Sequence, residues 1–212
     1  MKYYPIKIPK ILKLFYPTWI WDIKTDKKEV FLTFDDGPTP EVTHFVLDEL
    51  KKYKAKATFF CIGKNVENHP NILKRILAEG HSVGNHTHNH LNGTKHSLPD
   101  YLENIEKAEV TFQKYHSAET EKLFRPPYGR MPLKAAKYLQ KKGYKIIMWD
   151  VLSGDFDLKN TPENCVENVL KNTKRGSIIV FHDSKKSFPI LQKALPKTLE
   201  ELNQQNFSFR KI

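Results

Sequence analysis

Five short stretches of the chain concentrate residues that can move protons or hold a metal ion. FLTFDDGPTP (31–40) sets Asp35 beside Asp36 at the end of an apolar run, and GNHTHNH (84–90) carries His86, His88 and His90. FRPPYG (124–129) carries Arg125 and Tyr128, MWDVLSGDF (148–156) carries Asp150 and Asp155, and IVFHD (179–183) ends in His182 and Asp183. Paired carboxylates and histidines are the raw material of general acid–base and metal-assisted chemistry. Each stretch also has a plainer explanation: Asp-Gly-Pro is good turn chemistry, and histidines can merely cap loops. Two adjacent aspartates on an extended chain point to opposite sides, so they cannot both serve the same purpose.

The elements that carry these stretches alternate between strand and helix. Candidate strands are VFLTF, ATFFC, HSVGN, KLFRP, KIIMW, SIIVFHD and FSFRK. Helices are expected over Pro40–Tyr53, Pro70–Glu79, Leu98–Tyr115, Pro132–Lys142, Pro162–Asn172 and Phe188–Gln204. Thr39 and Pro40 form the expected N-cap and first position of the opening helix, and Gly80, Gly143 and Gly176 serve as C-caps. Strands alternating with helices argue for parallel strands. About seven βα units favour an α/β fold built as a distorted, incomplete (β/α) barrel, and no Gly-rich dinucleotide fingerprint supports an open doubly wound sheet. In such a barrel the carboxyl ends of the strands converge on one face, where catalytic groups collect. Five strand ends bearing ionisable groups are therefore one site.

At 212 residues the chain reads as one domain with a sizeable core. Residues 29–212 form the expected catalytic unit. Residues 1–28 form an N-terminal segment whose Ile, Leu, Phe and Trp residues are expected to pack against it, with a place on a membrane surface as the alternative. Lys7, Lys10, Lys13 and Pro17 interrupt its apolar stretch, so it lacks the pattern of a signal peptide. No apolar run approaches the roughly 20 residues that span a bilayer. By sequence alone the chain reads as cytoplasmic. The net charge of +11 is spread over helices such as LKKYKAK and LQKKGYK, which favours solvated helix faces over nucleic-acid binding. Cys61 and Cys165 read as small core residues, not as a disulfide framework.

TFDDGP, HTHNH, RPPY, SGDF and IVFH occur in the order of five motifs of the polysaccharide deacetylases of carbohydrate esterase family 4, which the chain resembles from about Val30 to Ile212. The family's distorted (β/α) barrel agrees with the strand count. Three departures stand out: Phe156 occupies the place usually held by Trp, Ile179 replaces a Leu, and His88 stands where an aromatic residue is common. Family members usually act outside the cytoplasm.

The resemblance implies a metal-dependent hydrolase that removes N-acetyl groups from an amino-sugar glycan and releases acetate. Asp36, His86 and His90 are the implied ligands of a divalent metal, with Zn²⁺ preferred and Co²⁺, Ni²⁺ or Fe²⁺ also suited to two histidines and one carboxylate. The two histidines, four residues apart, reach one ion if their loop coils into a helical turn. Asp35 is the implied general base, held by Arg125 through a charge-assisted hydrogen bond. His182 is the implied general acid, with Asp155 raising its pKa. Tyr128 offers its backbone N–H to the oxyanion, while Pro127, Trp149, Phe156 and Ile179 complete the implied substrate surface. The partner is an N-acetylated glycan or oligosaccharide, neutral or anionic. Two other classes compete: a catalytically silent carbohydrate-binding module on the same fold, and a mononuclear iron oxygenase with the same ligand set. Neither has a use for both an Asp35 base and a His182 acid.

Overall fold

The computed structural model describes residues 4–115 and 120–212; His116 lies outside them. Its spine is a parallel sheet with the order β5-β4-β3-β2-β1-β7-β6, and β8 pairs with the start of β1. In chain order the strands are β1 (Glu29–Asp35), β2 (Thr58–Cys61), β3 (Ser82–Asn85), β4 (Leu123–Phe124), β5 (Lys145–Ile146), β6 (Val151–Leu152), β7 (Ile178–His182) and β8 (Ser208–Arg210). The helices are α1 (Lys10–Phe15), α2 (Val42–Lys52), α3 (Gly63–Asn68), α4 (Pro70–Ala78), α5 (Leu98–Gln113), α6 (Leu133–Lys141), α7 (Pro162–Asn172) and α8 (Phe188–Gln204). The two ends of the sheet, β5 and β6, are separated by residues 147–150 alone. A chain that short reaches at most about 18 Å, so the sheet must curl until its ends nearly meet. This is the incomplete (β/α) barrel.

β1 shows how the curl positions chemistry. Val30, Leu32 and Phe34 belong to the core cluster under α2 and α8, whereas Phe31 joins a separate cluster with Phe60, Ile147 and Ile178. That alternation is the two-residue period of a strand, and it sends Phe31, Thr33 and Asp35 to the barrel interior. Only Lys145 and Ile146 of the KIIMW stretch are strand, and a separate β6 follows at Val151–Leu152, which sequence periodicity did not place. As a result Asp150 sits at the amino end of β6, away from the catalytic face, accepting bonds from Ser177, Lys7 and Lys13.

Several expected boundaries move. α2 starts at Val42, after Glu41 at φ 66°, because the Thr39 N–H donates to Thr43 Oγ1 instead of Thr39 capping the helix. Gly80 and Gly143 do follow α4 and α6 with positive φ. Gly176 lies beyond the Thr173 cap of α7, in a turn where a Cβ would come 1.8 Å from the Ile23 carbonyl oxygen. α3 was not anticipated. The N-terminal segment packs only in part. Ile8, Trp19 and Trp21 are buried, and Ile6–Ile8 hydrogen-bonds along β6 while Ile20 bonds beside β5, so the segment spans the gap between the sheet's ends. Ile11, Leu14 and Phe15 of α1 remain exposed.

Candidate active site

Asp35 and Asp36 separate at the last residue of β1. Asp35 ends the strand pointing inward, and Asp36 adopts φ 82°, leaving the extended conformation. Aspartate tolerates the left-handed region better than most residues, and the turn is held from outside. Asn65 of α3 donates to the Asp36 carbonyl at 2.7 Å, and the Ile62 N–H donates to the Gly37 carbonyl at 2.9 Å. Asp183 accepts the Gly37 N–H at 3.0 Å and the Thr43 hydroxyl at 2.5 Å. Burial, reinforced by the charge of Asp36, pushes the Asp183 carboxyl up to about 7 against these hydrogen bonds. Asn65 was not singled out from the sequence, and Asp183 was named only as the end of its strand, without a role. The signal for Asp183 was present in the HD pair that closes an otherwise apolar strand.

The histidines converge without the expected helical turn. Residues 86–90 are an irregular loop in which Thr87 and His90 take φ 63° and 55°. A β-branched residue there is strained, and the loop is pinned around it. Asn85 Oδ1 accepts the Thr87 N–H, Asn104 Oδ1 accepts the N–H groups of His88 and Asn89, and Thr87 Oγ1 accepts the Leu91 N–H. His86 Nδ1 donates to the Arg125 carbonyl at 2.7 Å, which leaves Nε2 as the free lone pair. Burial pulls this imidazole down to about 4, against the charge of Asp35, so it is neutral.

His86 Nε2 lies 3.7 Å and His90 Nε2 3.2 Å from Asp36 Oδ1, and the three ligand atoms lie within 4.8 Å of one another. Asp36 Oδ1 is nevertheless buried without a hydrogen-bond partner. Three donors that crowd together but are not aligned on each other aim at a shared point, and neutral imidazole plus carboxylate is a donor set that suits a divalent ion. His88 turns away. It is buried, not exposed, with Nε2 3.7 Å from Glu67 and Nδ1 unpartnered against Gly63.

Arg125 is wholly buried and fully engaged. Its Nη1 donates to Asp35 Oδ1 and Thr33 Oγ1, both at 2.7 Å; Nε and Nη2 reach the carbonyls of Ile147 and Met148, and its plane stacks on Phe60. Across β7, Asp155 accepts the His182 ring Nδ1–H and backbone N–H, both at 2.8 Å. Burial alone would lower the His182 imidazole, but the charge and hydrogen bond of Asp155 outweigh it and push it up to about 9, with help from Asp36 and Asp35. The same Asp155 oxygen accepts Ser153 Oγ at 3.0 Å.

The rim is set by aromatic residues. Tyr128 has φ 60°, is largely exposed, and holds its ring 4.7 Å from that of His90. Its N–H has no acceptor among the described residues, whereas those of Gly129 and Arg130 bond back to Pro126 and Pro127. Phe156 stands 5.1 Å from the His182 ring and 4.9 Å from Tyr4, which the sequence did not flag. Three expected substrate contacts are placed differently. Pro127 is buried beneath the turn, and Trp149 packs behind Gly129 among core residues. Ile179 is fully buried in the cluster under the helices, because it is one residue out of phase with Ile178 and His182.

A family model for polysaccharide deacetylases matches residues 22–147. The chain belongs to the polysaccharide deacetylase family. It is a metal-dependent hydrolase of the class that deacetylates amino-sugar glycans, and the family implies the divalent ion for which the Asp36, His86 and His90 cluster is suited. A peptidoglycan-N-acetylglucosamine deacetylase of Bacillus cereus is 37% identical over 190 residues, 89% of this chain and 88% of that protein. The peptidoglycan-N-acetylglucosamine deacetylase PgdA of Listeria monocytogenes is 35% identical over 96% of this chain, which spans only 40% of that longer protein. Among solved structures, the Bc1960 peptidoglycan N-acetylglucosamine deacetylase superposes with a TM-score of 0.87 at 33% identity, covering 95% of this chain and 94% of that one. A pseudoenzyme of carbohydrate esterase family 4 from Bacillus anthracis also superposes, with a TM-score of 0.81 at 25% identity over 92% of this chain and 68% of that one. Among the polysaccharide deacetylases, the fold alone thus does not separate active from silent members; the side chains must.

Proposed function

We propose that this deacetylase removes the acetyl group from N-acetylglucosamine residues of a peptidoglycan-type glycan, with Zn²⁺ held by Asp36, His86 and His90. The observation that carries the reading is the convergence of two imidazole nitrogens on the unpartnered Asp36 Oδ1, one residue from the buried Asp35–Arg125 pair. A divalent ion held there supplies Lewis acidity, polarising the acetyl carbonyl and easing loss of a proton from water. Asp35 takes that proton as water adds to the carbonyl carbon; Arg125 holds the carboxylate in place through its 2.7 Å contact. The Tyr128 N–H donates to the carbonyl oxygen as its charge grows. His182 then delivers its Nε2 proton to the departing amine nitrogen as the C–N bond breaks, giving free amine and acetate. Its pairing with Asp155 keeps the ring protonated near neutral pH. Tyr128 and Phe156 flank the opening as faces on which a sugar ring can stack.

The names of the Bacillus and Listeria relatives support N-acetylglucosamine in peptidoglycan as the substrate. The silent-module reading is disfavoured because ligand, base and acid side chains are all present. The experiment is acetate release from N-acetylglucosamine oligomers and purified peptidoglycan, before and after chelation. Release that stops with chelator and returns with Zn²⁺ is expected. Glycan binding without release in any metal would replace the enzyme with a binding module.

A further inference from the structure

Helix α1 keeps Leu12 against the core but turns its other apolar residues outward. Ile11, Leu14 and Phe15 share one face at helical spacing and are 64%, 75% and 73% exposed, whereas Lys13 points inward to Asp150 at 2.7 Å and to Asp22. A soluble helix ordinarily does the reverse, so three adjacent large apolar side chains in water mark a surface that something covers. Lys13 fixes where that surface lies. Asp150 also accepts from Ser177, just before β7, and Lys7 donates to the carbonyl of Asn172 at the end of α7. These are the amino ends of the strands, opposite Asp36, His86 and His90.

Because all the strands are parallel, each turn leading into a strand lies at this same end. Four of those turns are basic. Lys24, Lys27 and Lys28 precede β1, Lys54 precedes β2, Lys142 precedes β5 and Arg175 precedes β7, all exposed. Among the described residues the acidic neighbours are largely spent: Asp22 pairs with Lys13, Glu29 with Arg210, Glu79 with Arg75 and Glu121 with Lys145, leaving Asp26. An apolar helix face within a ring of unpaired cations matches one kind of surface. Anionic headgroups neutralise the lysines while the acyl boundary takes up the apolar side chains.

We propose that the amino-terminal end of the barrel docks on an anionic lipid bilayer, with Ile11, Leu14 and Phe15 inserted and the basic turns on the headgroups. The catalytic face then points away from the bilayer, about 20 Å above it by the length of β1. This inference is independent of the substrate assigned to the site.

The test is flotation of the full chain with vesicles of equimolar phosphatidylglycerol and phosphatidylcholine, against vesicles of phosphatidylcholine alone. Binding to the anionic vesicles only, weakening as salt rises, is expected. The triple variant Ile11→Ser, Leu14→Ser, Phe15→Ser should reduce binding at least about tenfold with an unchanged thermal unfolding midpoint, since these side chains touch no core. Lys24→Glu with Lys27→Glu should weaken it as well. No flotation with anionic vesicles, or equal flotation of the triple variant, overturns the proposal. So does a wild-type dimer in solution that the triple variant dissociates, because a second copy would then cover α1.

Discussion

Asp35 and His182 are register partners on the neighbouring parallel strands β1 and β7, yet each is paired with a different buried ion. Asp35 is held by Arg125, His182 by Asp155. One strand pair therefore presents a carboxylate held by a guanidinium beside an imidazole kept protonated. A direct Asp35–His182 ion pair would occupy both and leave neither free for substrate. The two counter-ions keep a base and an acid apart at the spacing of adjacent strands.

The pH profile tests the acid half. Asp155 is what holds His182 up at about 9, so the protonated ring persists through neutral pH and is lost as pH rises through that value. Asp155→Asn removes the main opposition to burial, and the ring falls toward the ordinary histidine value of about 6.5, with only the lesser pull of Asp36 and Asp35 left to raise it. The alkaline limb of kcat should move down by roughly two pH units. An unmoved limb would mean that His182 is not the acid.

The Arg125 pair tests the base half through stability. Arg125→Met leaves the Asp35 carboxylate buried without its partner, a loss expected to cost about 3–5 kcal/mol. Adding Asp35→Asn to Arg125→Met should recover part of it, because the uncompensated charge is gone. Urea unfolding of the two single variants and the double variant measures the coupling. Strict additivity would show that the guanidinium acts through its carbonyl and Thr33 contacts alone.

Gly37 tests the turn that swings Asp36 out of the strand. A Cβ at this position would lie 2.0 Å from Asp183 Oδ2, and that carboxyl is itself bound to Thr43 and cannot withdraw cheaply. Gly37→Ala should lower stability by about 1–3 kcal/mol and loosen metal retention by displacing Asp36. Thermal unfolding and metal content after dialysis report the two effects separately.

Much of this site was legible in the sequence because it stands where apolar strands stop. The runs ending in Asp35-Asp36 and His182-Asp183 announce buried strands with charged carboxyl ends, and parallel order brings those ends together. α7 runs over the expected residues because Thr161 caps it and Pro162 starts it, signals that act locally. What was hidden depends on contacts distant in sequence. α3 is six residues beginning at glycine and shows no apolar period, yet it carries the Asn65 that holds the Asp36 turn. Ile179 was assigned to the substrate surface by the resemblance of its motif, although strand parity already turned it from the interior. The split of 145–152 into two strands follows from barrel closure, which no window of the local pattern contains.

Metal retention tests the ligand set against its discarded neighbour. Asp36→Ala, His86→Ala and His90→Ala each remove one coordinating atom, and metal content after dialysis should fall severely in all three. His88→Ala should keep its metal, since that ring faces Glu67 and α3. Full stoichiometry in the first three variants would remove the site.

The two adjacent aspartates give the sharpest separation. Asp35→Asn keeps the shape of the side chain and one acceptor for Arg125, and the proposed ligand is its neighbour, so the variant should fold and retain metal. It cannot take a proton from water, and kcat should drop by the roughly 10²–10⁴-fold that general-base catalysis supplies. Asp36→Asn should lose metal first, because an amide oxygen is a poorer ligand than a carboxylate, and excess Zn²⁺ should restore part of its activity. Metal analysis and kcat on the same preparations decide between the two roles. Loss of metal from Asp35→Asn with retention in Asp36→Asn would reverse the assignment, and would mean that the left-handed turn at Asp36 points the base, not the ligand, into the site.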